Sequence, residues 1–382
     1  MRIAFYSPMK PPDSPIPSGD RQMARQLIRC LKSLGHDVRL MSRMKSREPT
    51  GNKGRQIIIS NRADRIAHSL LSKVVKSDGW RPEAWFTYHL FYKAPDWIGP
   101  TVSRALSIPY IIAEASHAPK RREGAWAYNH NQVEKALHQA DLVIGLNTSD
   151  ENCVKTILGS HCHYAKLKPF VDMDSNHLDP EIRNKYRYHI NLTHRIPEHN
   201  VWLLAVGMMR KGAKFESYKL LSESLKKLPR NQKWSLIIIG DGPCRSQIEA
   251  LFPSNTFFLG ALSKSDLAKY YSAADIFVWP AIQEAYGMAL LEAQWAGLPA
   301  VAGNSGGVSD ILRDNTTGFL AKLGDSTDFA FKVQILLEDA VQREQMSITA
   351  KNITLREHGF QTAAEKMNAL LNCSLKRFQP KR

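Results

Sequence analysis

Residues 275–303 read DIFVWPAIQEAYGMALLEAQWAGLPAVAG. The stretch opens on a short apolar strand, DIFVWP, passes through a loop holding Glu284, enters a helix near Gly287 and closes on a second apolar strand, PAVAG. Strand, loop, helix and strand in that order predict a parallel α/β sheet, because a parallel neighbour is reached only by a crossover, usually a helix. Two carboxylates flank the helix start, Glu284 in the loop and Glu292 inside the helix, with seven residues between them. Alone, they read equally as an acid/base pair, as two ligand holders, or as the wet face of an ordinary helix.

The same rhythm runs outward in both directions. Strands are predicted at VWLLAVG (201–207), WSLIIIGDGP (234–243), NTFFLG (255–260) and GFLA (318–321), with helices at ESYKLLSESLKKLP (216–229) and KSDLAKYYSAA (264–274). Toward the N-terminus, RIAFYS (2–7) is a strand. It is followed by a Pro/Gly/Ser loop and a helix whose Met23, Leu27, Leu31 and Leu34 make one apolar stripe. Ser18-Gly19-Asp20 marks the start of that helix and Gly35 its stop. A strand at DVRLMSR, a helix around ADRIAHSLLSKVVKS (63–77) and strands at AWFTYHL (84–90), PYIIAEAS (109–116) and ADLVIGLN (140–147) complete the half. Two doubly wound α/β units follow, the first over 1–172 and the second over 199–360, joined by a polar, non-periodic linker at 173–198. A helix and basic tail over 361–382 are expected to pack back on the first unit.

Composition bounds what such a chain does. Of its 382 residues, 43% are hydrophobic and 23% charged, a globular balance. Its apolar runs are far shorter than the ~20 residues of a membrane span, and MRIAFYSPMKPP is too short in its apolar part for a signal peptide. The expectation is a cytoplasmic protein, in solution or peripheral on the inner face of the membrane. Five scattered cysteines argue against a disulfide framework. His161-Cys162-His163 with Cys153 nearby meets no zinc spacing and reads as a polar turn, so no metal is expected. The net charge is +16, and residues 1–170 hold 26 Lys/Arg against 14 Asp/Glu, or +12 of it. Such a field suits an anionic partner: nucleic acid, anionic lipid or an acidic substrate.

The second half resembles the retaining glycosyltransferases of family 4, which have the two-domain GT-B architecture. The resemblance rests on VGMMRKGAKFESY (206–218), IIIGDGP (237–243), FFLGALSKSDLAKYYSAADIFVWP (257–280), EAYGMALLEA (284–293), AGLPAVAGNSGGVSDIL (296–312) and TGFL (317–320), in that order. In the first half, the Gly19 loop and helix and residues 88–120 are similar to the family's acceptor domains. The resemblance implies two Rossmann-like domains facing across a cleft. It also implies transfer of a sugar from a nucleotide diphosphate sugar, UDP- or GDP-linked, to a glycan or lipid-linked acceptor, with retention and without a metal or other cofactor.

The chemistry needs a match for a dianionic diphosphate. The start of the helix at Gly287 and Met288 offers free backbone N–H groups and the positive dipole end, and Gly287 lets the backbone approach. Arg210 and Lys214 supply cations after a strand end; where the family carries Gly-Arg this chain has Gly207-Met208, so the arginine role falls on Arg210. By resemblance, Glu284 binds donor-sugar hydroxyls and Glu292 the ribose hydroxyls, which suits acceptor-only carboxylates. The resemblance also implies that Leu262, Ala285 and Tyr286 line the same site, that Gly19 approaches the diphosphate from the first domain, and that His117 reaches in from the acceptor side. Glu284, His117, Arg210 and Lys214 are the candidate catalytic residues. Glu114 and His89 are weaker candidates at neighbouring strand ends, Gly306 and Gly307 look like the family's glycine turn near the sugar with Asp310 at the place of the acid that follows it, and Asp241 is a turn residue first. A same-fold epimerase or phosphorylase is the alternative. Nucleic-acid binding ranks low for want of a recognisable motif, and no G-x-G-x-x-G follows the first strand.

Overall fold

A computed structural model describes residues 1–16, 18–76, 79–172, 180–284 and 286–378. Two compact units appear, one of Met1–Pro169 with Phe360–Arg382 and one of Phe170–Gly359. The first carries β1 (Arg2–Tyr6), α1 (Gly19–Ser33), β2 (Asp37–Ser42), α2 (Lys53–Lys76), β3 (Ala84–Leu90) and α3 (Gly99–Leu106). It continues through β4 (Tyr110–Ala115), α4 (Ala127–Gln139), β5 (Leu142–Gly145), α5 (Glu151–Lys155) and β6 (His163–Lys166). Its six strands are all parallel, in the order β2-β1-β3-β4-β5-β6.

The second unit begins with α6 (Pro180–His194), β7 (Val201–Val206), α7 (Ala213–Leu225), β8 (Trp234–Ile239), α8 (Arg245–Glu249) and β9 (Thr256–Phe258). It continues with α9 (Lys264–Ala273), β10 (Ile276–Trp279), α10 (Met288–Trp295), β11 (Ala300–Gly303), β12 (Gly318–Ala321), α11 (Ser326–Glu338) and α12 (Ala340–His358). Its sheet is also parallel, ordered β12-β11-β10-β7-β8-β9. Helices on both faces explain why β8, β10 and β4 are buried at every residue and read as continuous apolar runs rather than alternating ones.

α1 forms as its sequence predicts. The Ser18 side chain caps it by accepting from the Arg21 amide at 3.2 Å, and Met23, Leu27 and Leu31 are buried. Gly35, at φ 79°, ends it in the left-handed conformation that a residue without Cβ adopts freely. After α12 the chain returns to the first unit as α13 (Phe360–Arg377), which packs on α1 with the Arg29 guanidinium 5.6 Å from the Phe360 ring centroid.

Three segments differ from the expectations. Residues 180–194 of the expected linker form α6, and 173–179 lie outside the described residues. The reason is a half-buried anchor: Asp275 accepts from Arg183 at 2.5 Å and from Arg187 and the Trp202 amide at 2.9 and 2.7 Å, while Arg187 lies 4.2 Å over the Trp202 ring. Such long-range partners leave no periodic trace in the helix itself. α2 starts ten residues before the predicted helix, at Lys53, where Asn52 accepts from the Arg55 amide at 2.9 Å; the β-branched run Ile57–Ile59 masked this start. His163, read as part of a polar turn, opens β6, which pairs with β5. Among the described residues no helix is long and apolar enough to cross a membrane.

Candidate active site

In each sheet the strand order reverses once, between β1 and β3 in the first unit and between β7 and β10 in the second. Loops leaving the carboxyl ends of such a strand pair diverge to opposite faces, and the crevice they leave is where open α/β sheets bind ligands. In the second unit those loops are 207–212 and 280–287, which carry Arg210, Glu284 and Gly287.

The loop after β7 is fixed by its neighbour. Gly207 and Met209 donate their amides to Ile239 and Asp241 at 3.0 and 2.9 Å, and Cys244 donates back to Met209 at 2.9 Å. A Cβ on Gly240 would collide with the Gly207 carbonyl, and one on Gly242 with that of Met209, so the GDGP glycines exist for this approach. Asp241 is an exposed turn residue, its carboxylate accepting from the Gly242 amide at 2.7 Å. Beyond the pinned segment, Arg210 is exposed. Lys214 sits in the first turn of α7, where a cation opposes the helix dipole and needs an anion nearby.

Glu284 is that anion. Its Oε2 accepts from Lys214 Nζ at 2.5 Å and from Trp279 Nε1 at 3.2 Å, with the ammonium 4.9 Å from the Trp279 ring centroid. The two charged side chains keep 20% and 18% of their exposure, so the pair is accessible from solvent. Its loop is strained: Ala281 and Gln283, neither a glycine, have φ of 55° and 50°. The Ile282 amide reaches Ser217 Oγ on α7 at 3.0 Å, tying the two loops together. Gly287 precedes α10 at φ 74°, ψ 53°, and a Cβ there would meet only ordinary contacts, so conformation rather than space demands glycine. Among the described residues α10 has no side-chain cap and no acid in its first turn, which leaves its terminal amides for another acceptor.

The remaining candidates fall around this group. Tyr286 and Met288 are buried beside it, and Ala285 lies outside the described residues. Glu292 is 6% exposed and accepts from Tyr271 on α9 at 3.1 Å. Burial and then the Glu292 charge push the Tyr271 phenol well above its usual pKa, which keeps the donor protonated. A buried acid needs a partner, and Glu292 has one within the protein. Gly306, Gly307 and Asp310 follow β11, next to β10, with Gly306 at φ 53° and Asp310 half-buried. Leu262 follows the edge strand β9, which β8 separates from β7.

In the first unit the reversal brings together residues the sequence ranked low. Gly19 is the exposed first residue of α1, and Asp20 beside it lies 2.8 Å from His89 Nδ1 at the end of β3. Glu114, near the end of β4, is 3.9 Å from the same nitrogen. His89 and Glu114 hold φ of 65° and 61°, left-handed values that few residues with a Cβ adopt. Burial alone would lower the His89 pKa, but the Glu114 charge and the hydrogen bond and charge of Asp20 outweigh it and raise the value to about 9. Asp20 was visible only as a first-turn acid.

His117, expected to reach into the site from the acceptor side, is turned into its own unit and is 4% exposed. Its Nδ1 lies 2.9 Å from the Cys153 carbonyl and its Nε2 3.0 Å from Glu134 Oε1; both partners are acceptors, so neither nitrogen is presented to a substrate. Glu134 also accepts from Arg122 Nε at 2.8 Å and faces His130 across 3.8 Å. Burial pushes the Glu134 pKa up, but the hydrogen bonds of His117 and Arg122 bring it below the usual range; burial lowers that of His130 against the Glu134 charge.

Two parallel six-stranded units of this kind have the fold of the GT-B glycosyltransferases. Sucrose-phosphate synthase from Thermosynechococcus elongatus is similar with a TM-score of 0.76 at 17% identity, over 98% of this chain and 99% of that one. HepE from Anabaena, solved in complex with UDP, aligns with a TM-score of 0.73 at 16% identity over 98% and 100%; it was also solved with UDP-glucose. Residues 194–353 match the family described as glycosyl transferases group 1, and the second unit is a domain of that family. The sulfoquinovosyl transferase SQD2 of Arabidopsis thaliana is 33% identical over 262 residues, covering 66% of this chain. The match spans about half of that relative's length, 50%.

The His89 cluster makes a pH prediction. A folded pKa of about 9, above the ~6.5 of a free histidine, gives stabilisation that is complete below about 6.5 and lost as pH rises through about 9. Melting temperature should fall across that window in the native chain and be flatter in His89→Asn, a residue that tolerates positive φ; equal slopes in both would contradict the assignment.

Proposed function

We propose that the chain is a glycosyltransferase that moves a hexose-type sugar from a nucleotide diphosphate sugar to an acceptor hydroxyl, with retention and with no metal on the diphosphate. The observation that carries this reading is the meeting of Lys214, Glu284 and the uncapped start of α10 at the β7–β10 reversal. Donor phosphate oxygens would take the α10 amides and the ammonium of Lys214, with exposed Arg210 as a second cation. Lys214 then exchanges one anion for another, and Glu284 is released to accept from sugar hydroxyls. Glu292 would accept from ribose hydroxyls while Tyr271 holds its other side.

In the step proposed, the bond from the anomeric carbon to the phosphate oxygen breaks and one to the acceptor oxygen forms on the same face. The leaving phosphate takes the acceptor's proton. Cations and amides aimed at that phosphate stabilise charge that grows only as the bond breaks, which lowers the barrier rather than merely tightening binding. A UDP-sugar is the first donor to test, given the UDP and UDP-glucose complexes of the HepE neighbour.

The acceptor proposed is an acidic or membrane-associated glycan or lipid, met at an anionic membrane surface. Exposed Arg55, Arg62, Arg65 and Lys73 of α2, with Ile57 and Ile58 also exposed, form a basic and apolar face suited to it.

Melting temperature with UDP, GDP and ADP should rise for one diphosphate, by a shift that Glu292→Ala diminishes; Glu284→Ala should cut sugar transfer more than nucleotide binding. No shift with any of the three, or full activity in both variants, would remove the site assignment. Sedimentation with liposomes should require anionic lipid, and equal binding to neutral vesicles would defeat the membrane reading.

A further inference from the structure

We propose that His117, His130 and Glu134 form a divalent transition-metal site in the first unit, suited to zinc. His117 lies just past β4, and His130 and Glu134 stand on α4 four residues apart, hence on one face of that helix. One ligand atom from each of the three lies within 4.8 Å of the others, with Glu134 Oε1 3.0 Å from His117 Nε2 and 3.8 Å from His130 Nδ1. The two imidazoles are 5.2 Å apart between centroids, tilted by 30°, and both turn toward the carboxylate.

Two features go beyond proximity. His130 is 1% exposed, and among the described residues its ring nitrogens make no hydrogen bond of good geometry, only weaker interactions with the Ala118 backbone and the Glu134 charge. A buried imidazole left so is costly in a protein interior, where polar groups are otherwise paired. An ion on Nδ1 would satisfy it. Second, His117 engages the Cys153 carbonyl through Nδ1, which turns Nε2 inward; metal-binding histidines are commonly oriented by this same contact between the other nitrogen and a backbone carbonyl.

The donor set selects the ion. Two imidazoles and one carboxylate suit zinc, cobalt or nickel in four-coordinate geometry with one position left open, and suit neither calcium nor magnesium, which take oxygen ligands. Arg122 now holds the carboxylate, but its side chain is 59% exposed and can swing away as an ion enters. The ion would fasten the segment after β4 to α4. All three ligands belong to the first unit and the proposed phosphate-binding residues to the second, so the site stands independently of the donor reading.

The test uses the full chain, stripped with a chelator and titrated with Zn²⁺ and Co²⁺. One equivalent should bind, Co²⁺ should give the intense visible absorption of a four-coordinate site, and melting temperature should rise. Glu134→Gln and His130→Gln should each weaken binding by at least about tenfold, while His161→Ala, outside the cluster, should not. Glu134→Gln changes a half-buried group without changing its size, so it keeps the test sound if His130→Gln fails to fold. No uptake, uptake unchanged in Glu134→Gln, or loss of binding in His161→Ala would overturn the proposal.

Discussion

The reversal of strand order is the constraint on which the rest depends. β7 has β8 on one side and β10 on the other, so the loops leaving β7 and β10 turn to opposite faces and leave a crevice that no side chain has to carve. The same happens between β1 and β3. Each crevice holds charged groups from elements distant in sequence. Lys214 and Glu284 meet in one, and Asp20, His89 and Glu114 in the other. Glycine and strain supply the local fit, through the Gly240 and Gly242 approaches and the left-handed Ala281, Gln283, His89 and Glu114.

The Lys214–Glu284 pair bears on function through its balance. Each side chain keeps about a fifth of its exposure, and ion pairs in contact with water contribute little to stability. Such a pair is easily traded for a better anion, and a diphosphate offers more charge and more acceptor oxygens than one carboxylate. Glu292 is different: it is buried and answered by Tyr271, so any ligand role there adds to an existing contact instead of replacing one. The two glutamates that looked alike in the sequence therefore sit in unlike environments.

Much of this was legible in the sequence, and the pattern of what was not is physical. Apolar runs such as WSLIII and the capped, striped helix after Ser18 announce themselves locally, so every strand but β6, together with α1, could be placed from local pattern alone. Lys214, Glu284 and Gly287 could be singled out too, since they lie within recognisable motifs, and the structure brings the first two together. What escaped depends on partners far away. α6 looked like a linker because its anchor, Asp275, is some ninety residues on. Asp20 and His89 were underrated because only the β1–β3 reversal joins them. His117 was expected to face a substrate, whereas Cys153 and Glu134 turn it inward.

The central claim is that a nucleotide diphosphate lodges at the β7–β10 reversal. Amide hydrogen exchange with and without saturating UDP, or GDP if that is the nucleotide bound, tests this most directly. The account predicts slowed exchange at residues 207–214 and 286–291, where the pinned loop and the start of α10 would meet phosphate. Nucleotide binding that leaves both segments unchanged and protects other parts of the chain would contradict it.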